Sequence, residues 1–241
     1  MAAALHEINA AAAAAERLVD LQLSFNLYPA MYAHPSWLQR CAGPMAGESS
    51  ELGTSPLWIR ALSTALLRHE GLDRHCECDF FNPAKRLALL EAATLIRIGG
   101  LVSATLLRER LRRTISRPEV QAAEACMGAE AHRYAVRWQE AVPLLGSIWN
   151  GDGWPSAQTW QRQCVALLFA AIPGHAIAVT GRLRLRFPCD WALADECLPR
   201  LNEPQRASLT HFIVAVIVEA APEWRWLFEP QIAAGLRSER P

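Results

Sequence analysis

Most of this chain spaces its apolar residues three and four apart, the period of a helix that buries one face. Ser55 and Pro56 open such a helix as cap and first-turn residue, and Gly71 stops it after Glu70. Asn82-Pro83 starts another in the same way. It carries Leu87, Leu90, Ala93, Leu95, Ile96 and Ile98, meets Gly99-Gly100, and resumes through Leu101, Val102, Leu106, Leu107 and Leu111. Each internal glycine costs about 1 kcal/mol relative to alanine, so the pair marks a break or a close helix crossing. Ser116-Arg117-Pro118-Glu119 reads as a capping box for a helix to about Val142. Ser156 to Ile172 reads as a further helix, and Asn202-Glu203-Pro204-Gln205 opens one through about Ala220.

Two segments follow a different period. Val19 to Leu27 and Gly181 to Pro188 alternate apolar and polar residues, the signature of a half-buried strand. In the second, Leu183, Leu185 and Phe187 face one side and Arg182, Arg184 and Arg186 the other. An isolated strand cannot satisfy its backbone groups, so the two segments are candidates to pair. The expected fold is therefore mainly α, a single helical domain with a small two-stranded element at about 19–27 and 181–187. Residues 1–18 form an alanine-rich helix or extension with little apolar surface to bury. Residues 19–229 form the domain and 230–241 a tail. Residues 41–54 and 71–82 read as loops.

Composition narrows the class. Twenty-four basic and 24 acidic residues cancel, which argues against a dedicated nucleic-acid binder. All basic residues but Lys85 are arginines. Codon bias explains that blandly, while interface ion pairs would use the same planar fork. Seven cysteines at irregular spacing argue for a reducing compartment over a secreted disulfide framework. The first nine residues lack a basic signal-peptide start, and no stretch reaches the roughly 18 apolar residues of a membrane span.

Candidate chemistry is sparse. His69, His75, Cys76 and Cys78 could form a metal site or a Cys/His enzyme centre, but Cys-x-Cys is tighter than zinc-ligand spacing and no second pair follows. The run Arg108 to Arg113 could contact phosphate in a helical DNA-binding regulator. The commoner reading is a solvated helix end, where cations complement the dipole. No phosphate loop, dinucleotide fingerprint or nucleophile elbow is present. Neither catalytic, cofactor-binding nor metal residues are assigned. Nine tryptophans are many for this length, and Trp224 and Trp226 are the candidate interface anchors among them.

Pro29-Ala30-Met31-Tyr32-Ala33-His34, after its alternating lead-in, resembles the start of the SctK/YscK family of type III secretion proteins. Ile96-Arg97-Ile98-Gly99-Gly100-Leu101 through Arg112-Arg113 is similar to that family's central Leu-Gly helix. Arg182-Leu183-Arg184-Leu185-Arg186-Phe187-Pro188 is similar to its Arg-Leu-x-Leu-Arg-apolar-Pro segment. The resemblance runs over roughly residues 21 to 228. It implies a non-enzymatic protein of the cytosolic sorting platform, peripheral to the cytoplasmic face of the bacterial inner membrane. Its implied partners are the cytoplasmic domain of the inner-membrane ring protein (SctD-type) and the pod protein (SctQ-type), and through the latter the stator and ATPase. No cofactor, nucleic acid or transmembrane segment is implied. Pro29, Tyr32, His34, Trp37, Gly99 and Gly100 are then expected to be structural, and the arginine row Arg182, Arg184 and Arg186 to be a candidate partner surface.

Overall fold

The computed structural model describes residues 2–43, 55–143, 145, 153–191 and 201–228. The expected tail at 230–241 and most of the loop at 41–54 lie outside them. Among the described residues there are twelve α-helices, short 3-10 turns and no strand. The helices are α1 (Ala2–Leu27), α2 (Pro35–Ala42), α3 (Pro56–His69), α4 (Pro83–Arg86), α5 (Ala92–Leu106) and α6 (Arg108–Arg113). They continue as α7 (Arg117–Met127), α8 (Ala129–Arg137), α9 (Ala157–Ala171), α10 (Ile177–Arg184), α11 (Glu203–Ala220) and α12 (Arg225–Phe228). The chain divides into two compact units, at boundaries its composition does not announce.

The first unit is assembled from Met1–Glu91, Gly174–Trp191 and Glu223–Pro241. Phe25 on α1 stacks on Tyr32 at 5.9 Å and meets the Phe80 ring edge-on at 5.8 Å. Beside them Trp37, Leu66, Leu67, Leu72 and Leu185 form a buried cluster. Proline opens α2, α3 and α4, as the fixed φ and missing N–H of that residue allow.

In the second unit, Ala92–Pro173 with Ala192–Pro222, α5 packs against α8, α9 and α11. It is buried without interruption from Ile98 to Thr105, which is why its sequence is apolar nearly all round. A Cβ on Gly99 would lie 3.0 Å from the Cys164 carbonyl oxygen of α9, so the glycine sets how closely the two helices cross. The glycine pair marks that crossing, and the helix runs straight through it. Asn202 and Gln205 close the expected capping box on α11 through both reciprocal bonds.

Four expectations change. The helix expected to run from Asn82-Pro83 through Leu111 is α4, a 3-10 turn at Leu87–Leu89, α5 and α6 in succession. Residues 19–27 are the C-terminal third of a single 26-residue helix, not a strand. Outward Val19, Leu23 and Leu27 and inward Leu21 and Phe25 are two rows of i,i+4 neighbours, and superposed they imitate a period of two. Residues 181–187 are the end of α10 and a following 3-10-like turn, in which Leu185, Arg186 and Phe187 each donate an N–H to the carbonyl three residues back. Leu183, Leu185 and Phe187 are buried, but so is Arg182, because helical winding turns it inward and leaves Arg184 as the exposed residue of the segment. Finally, the helix expected from Ser116 to Val142 is two helices. Gly128 joins them at φ +84°, a left-handed value that suits glycine. The Ser116 hydroxyl donates to the Glu119 carboxylate at 2.6 Å, and no side-chain cap on the backbone forms.

Candidate functional site

The motif residues at 29–37 and 182–188 converge in the first unit. The turn after α1 delivers His34 to the start of α2, where its Nδ1 accepts the Ser36 N–H. The His34 N–H donates to the Leu185 carbonyl at 2.7 Å, and Ser36 Oγ accepts the Cys189 N–H at 2.9 Å. Trp37 is 3% exposed and its indole N–H donates to the Phe187 carbonyl at 2.7 Å. The Tyr32 hydroxyl donates to the Phe25 carbonyl at 2.7 Å. Burial holds that phenol well above its ordinary pKa, against the pull of Arg186 and Arg182.

The three arginines do not form a row. Arg182 is 2% exposed and donates to the carbonyls of Leu72 at 3.1 Å, Ala178 at 3.3 Å and Asn26 at 3.5 Å. Arg186 donates to the Ala88 carbonyl at 3.2 Å, and its guanidinium lies 4.2 Å over the Tyr32 ring. Burial pushes the Arg186 guanidinium down to about 10, while Tyr32 and Glu91 favour its charge. Only Arg184 keeps substantial exposure. It pairs with Glu70 at 2.9 Å and lies over Trp37 at 5.1 Å. Helical winding, not a pleat, sets these directions, so the spacing of about 7 Å expected along a strand does not arise.

Sequence reasoning missed two members of this framework. Arg86, 3% exposed, donates to the carbonyls of Phe80 and Leu227, both at 2.6 Å. Asn26 exchanges both amide bonds with Glu77, accepting its N–H at 3.0 Å and donating to its carbonyl at 2.7 Å. The signal for Arg86 is its place directly before the apolar run Leu87 to Leu90. Asn26 had none, since it reads as the polar half of an alternation.

The other candidates have local partners. Trp224 is buried, and Trp226 lies under the Arg17 guanidinium at 4.6 Å. Cys76 and Cys78 are exposed thiols. Glu70 is engaged by His69 and Arg184, and Glu77 by Lys85 at 2.8 Å. Among the described residues no three His, Cys, Asp or Glu side chains are placed to hold a metal ion. In the second unit, Arg110 lies 4.4 Å over Trp154, and Arg112 donates to the Trp138 carbonyl at 2.8 Å. Arg108 pairs with the Glu140 carbonyl and Glu109.

A family model described as YOP proteins translocation protein K (YscK) matches residues 20–229. The chain belongs to the YscK family. It is thus a type III secretion protein, of a family of secretion components and not a known enzyme family. No curated protein and no solved structure matches it. The YscK match takes in both arginine-rich motifs, and its start at residue 20 leaves the alanine-rich front outside. No helix among the described residues is long and apolar enough to cross a membrane.

Proposed function

We propose that this YscK-family chain is a non-enzymatic adaptor of the cytosolic sorting platform, joining the SctD-type ring protein's cytoplasmic domain to the SctQ-type pod protein. The observation that carries the reading is the family match over residues 20–229. The side chains support it. Tyr32, His34, Trp37, Arg86, Arg182 and Arg186 all spend polar atoms on main-chain groups, as scaffold residues do. Arg184, with its partner Glu70, is the member of the arginine motif still offered to a partner. Surface charge of this kind steers association more than it sets affinity.

The test is co-purification of the full chain with both proteins, singly and together. A ternary complex is expected, with secretion lost when the gene is deleted and restored by the intact chain. Binding to neither protein would overturn the adaptor reading. Arg184→Ala should slow association with one partner and flatten its salt dependence, read in binding kinetics over a salt series.

A further inference from the structure

The inner side of α1 buries Leu18, Phe25 and Asn26 against the first unit. Its outer side carries Val19, Leu23 and Leu27, each about half exposed at 50%, 49% and 50%. The three follow one another at i,i+4 and so form one ridge, about 12 Å long at 1.5 Å per residue. Met31, in the 3-10 turn that follows, is 63% exposed. Single exposed apolar residues are ordinary, but a row of them on one helix face marks an interaction surface.

Size and charge identify the occupant. A patch of this kind amounts to a few hundred Å², short of the roughly 800 Å² per partner of a stable dimer. It suits one helix laid along the ridge, not a second copy of the chain. The adjoining i,i+4 row holds Glu16 and Asp20, both exposed and without an ion-pair partner among the described residues. The neighbouring cation, Arg17, is drawn over the Trp226 ring. The edge of the ridge is therefore acidic.

We propose that the Val19-Leu23-Leu27 ridge docks an amphipathic helix of a partner protein, with apolar residues on one face and Arg or Lys beside them. The proposal deepens the adaptor reading by giving one partner contact a place and a chemistry. Leucines fill the ridge, and the basic flank meets Glu16 and Asp20, which fixes direction and rejects acidic helices.

The test uses the full-length chain and two labelled helical peptides of about 18 residues. Both carry the same leucine face, one flanked by arginines and the other by glutamates. The arginine peptide should bind more tightly, with an affinity that falls with salt. Val19→Ser with Leu23→Ser and Leu27→Ser should weaken it on the order of tenfold, at a temperature where circular dichroism shows the variant still folded. Glu16→Arg with Asp20→Arg leaves the ridge intact and should reverse the preference between the peptides. Equal binding of both peptides, or no response to either variant, overturns the proposal. So does wild-type dimerisation in sedimentation that the serine variant abolishes, because the occupant would then be a second copy. The assay contains neither ring nor pod protein, so a chain that binds the arginine peptide but no platform protein counts against the adaptor reading alone.

Discussion

Trp37 gives its indole N–H to the Phe187 carbonyl and stacks its ring beneath Arg184. Bulk and donor can be separated. Trp37→Phe keeps most of the volume and strands a buried carbonyl, so it should lower stability by about 1–3 kcal/mol. Trp37→Ala also opens a cavity and should lose about 3–5 kcal/mol. Chemical denaturation of the two variants distinguishes these amounts. Arg182 serves three carbonyls with one planar fork. Arg182→Lys retains charge but not the fork, and should be destabilised nearly as much as Arg182→Ala. Rescue by lysine would show that charge alone matters at this position. Replacing all three motif arginines together would unfold the first unit and say nothing about partners, which is why the informative surface change is at Arg184 alone.

At the scale of the helix, the glycine pair in α5 makes a two-sided prediction. Gly99→Ala places a methyl against the α9 backbone and should destabilise by about 1–3 kcal/mol, because backbone cannot swing aside as a side-chain tip can. Gly100→Ala meets only Trp160 Nε1, at 4.0 Å. It should stabilise by up to about 1 kcal/mol through helix propensity. Thermal unfolding of the pair should move in opposite directions.

The starts of α4, α9 and α11 are legible in sequence because Asn82, Ser156 and Asn202 cap first-turn N–H groups locally, and that of α3 because of its first-turn proline, the Ser55 side chain making no cap bond. The two alternating segments are helical for two different reasons. Apolar residues appear on the outer side of α1 as well as the inner, and Arg182 and Arg186 are drawn inside by main-chain carbonyls from Asn26, Leu72 and Ala88. The second cause is not local, so no window of sequence contains it. The motif positions could be found as a group, but their roles depended on which distant carbonyl each one meets.

For the molecule as a whole, pH acts through buried neutral groups. Burial raises the Cys126 thiol from 9.0 to about 11, and it raises Cys164 and Tyr134 well above their ordinary values. Each folded form holds its proton over a range where the unfolded chain releases it. Their contribution to stability is whole below about pH 8.5 and declines as pH rises past it. Under reducing conditions the denaturant midpoint should fall between pH 8 and pH 10. Cys126→Ala should fall less steeply over the same interval.

The first unit is built from three separated stretches of chain. Trp37 must wait 150 residues for its carbonyl, and Arg86 waits 141 for Leu227. At a synthesis rate of about 5–20 residues per second, that delay is on the order of ten seconds. A nascent chain ending near residue 91 therefore emerges from the ribosome with its Trp37 cluster open. The second unit's helices α5 to α9 are made during that interval and have all their own residues except α11. Holdase chaperones should accordingly engage ribosome-bound chains stalled before residue 187 and release the full chain once it has left the ribosome. The order of synthesis thus leaves the N-terminal portion dependent on protection until the C-terminal portion arrives.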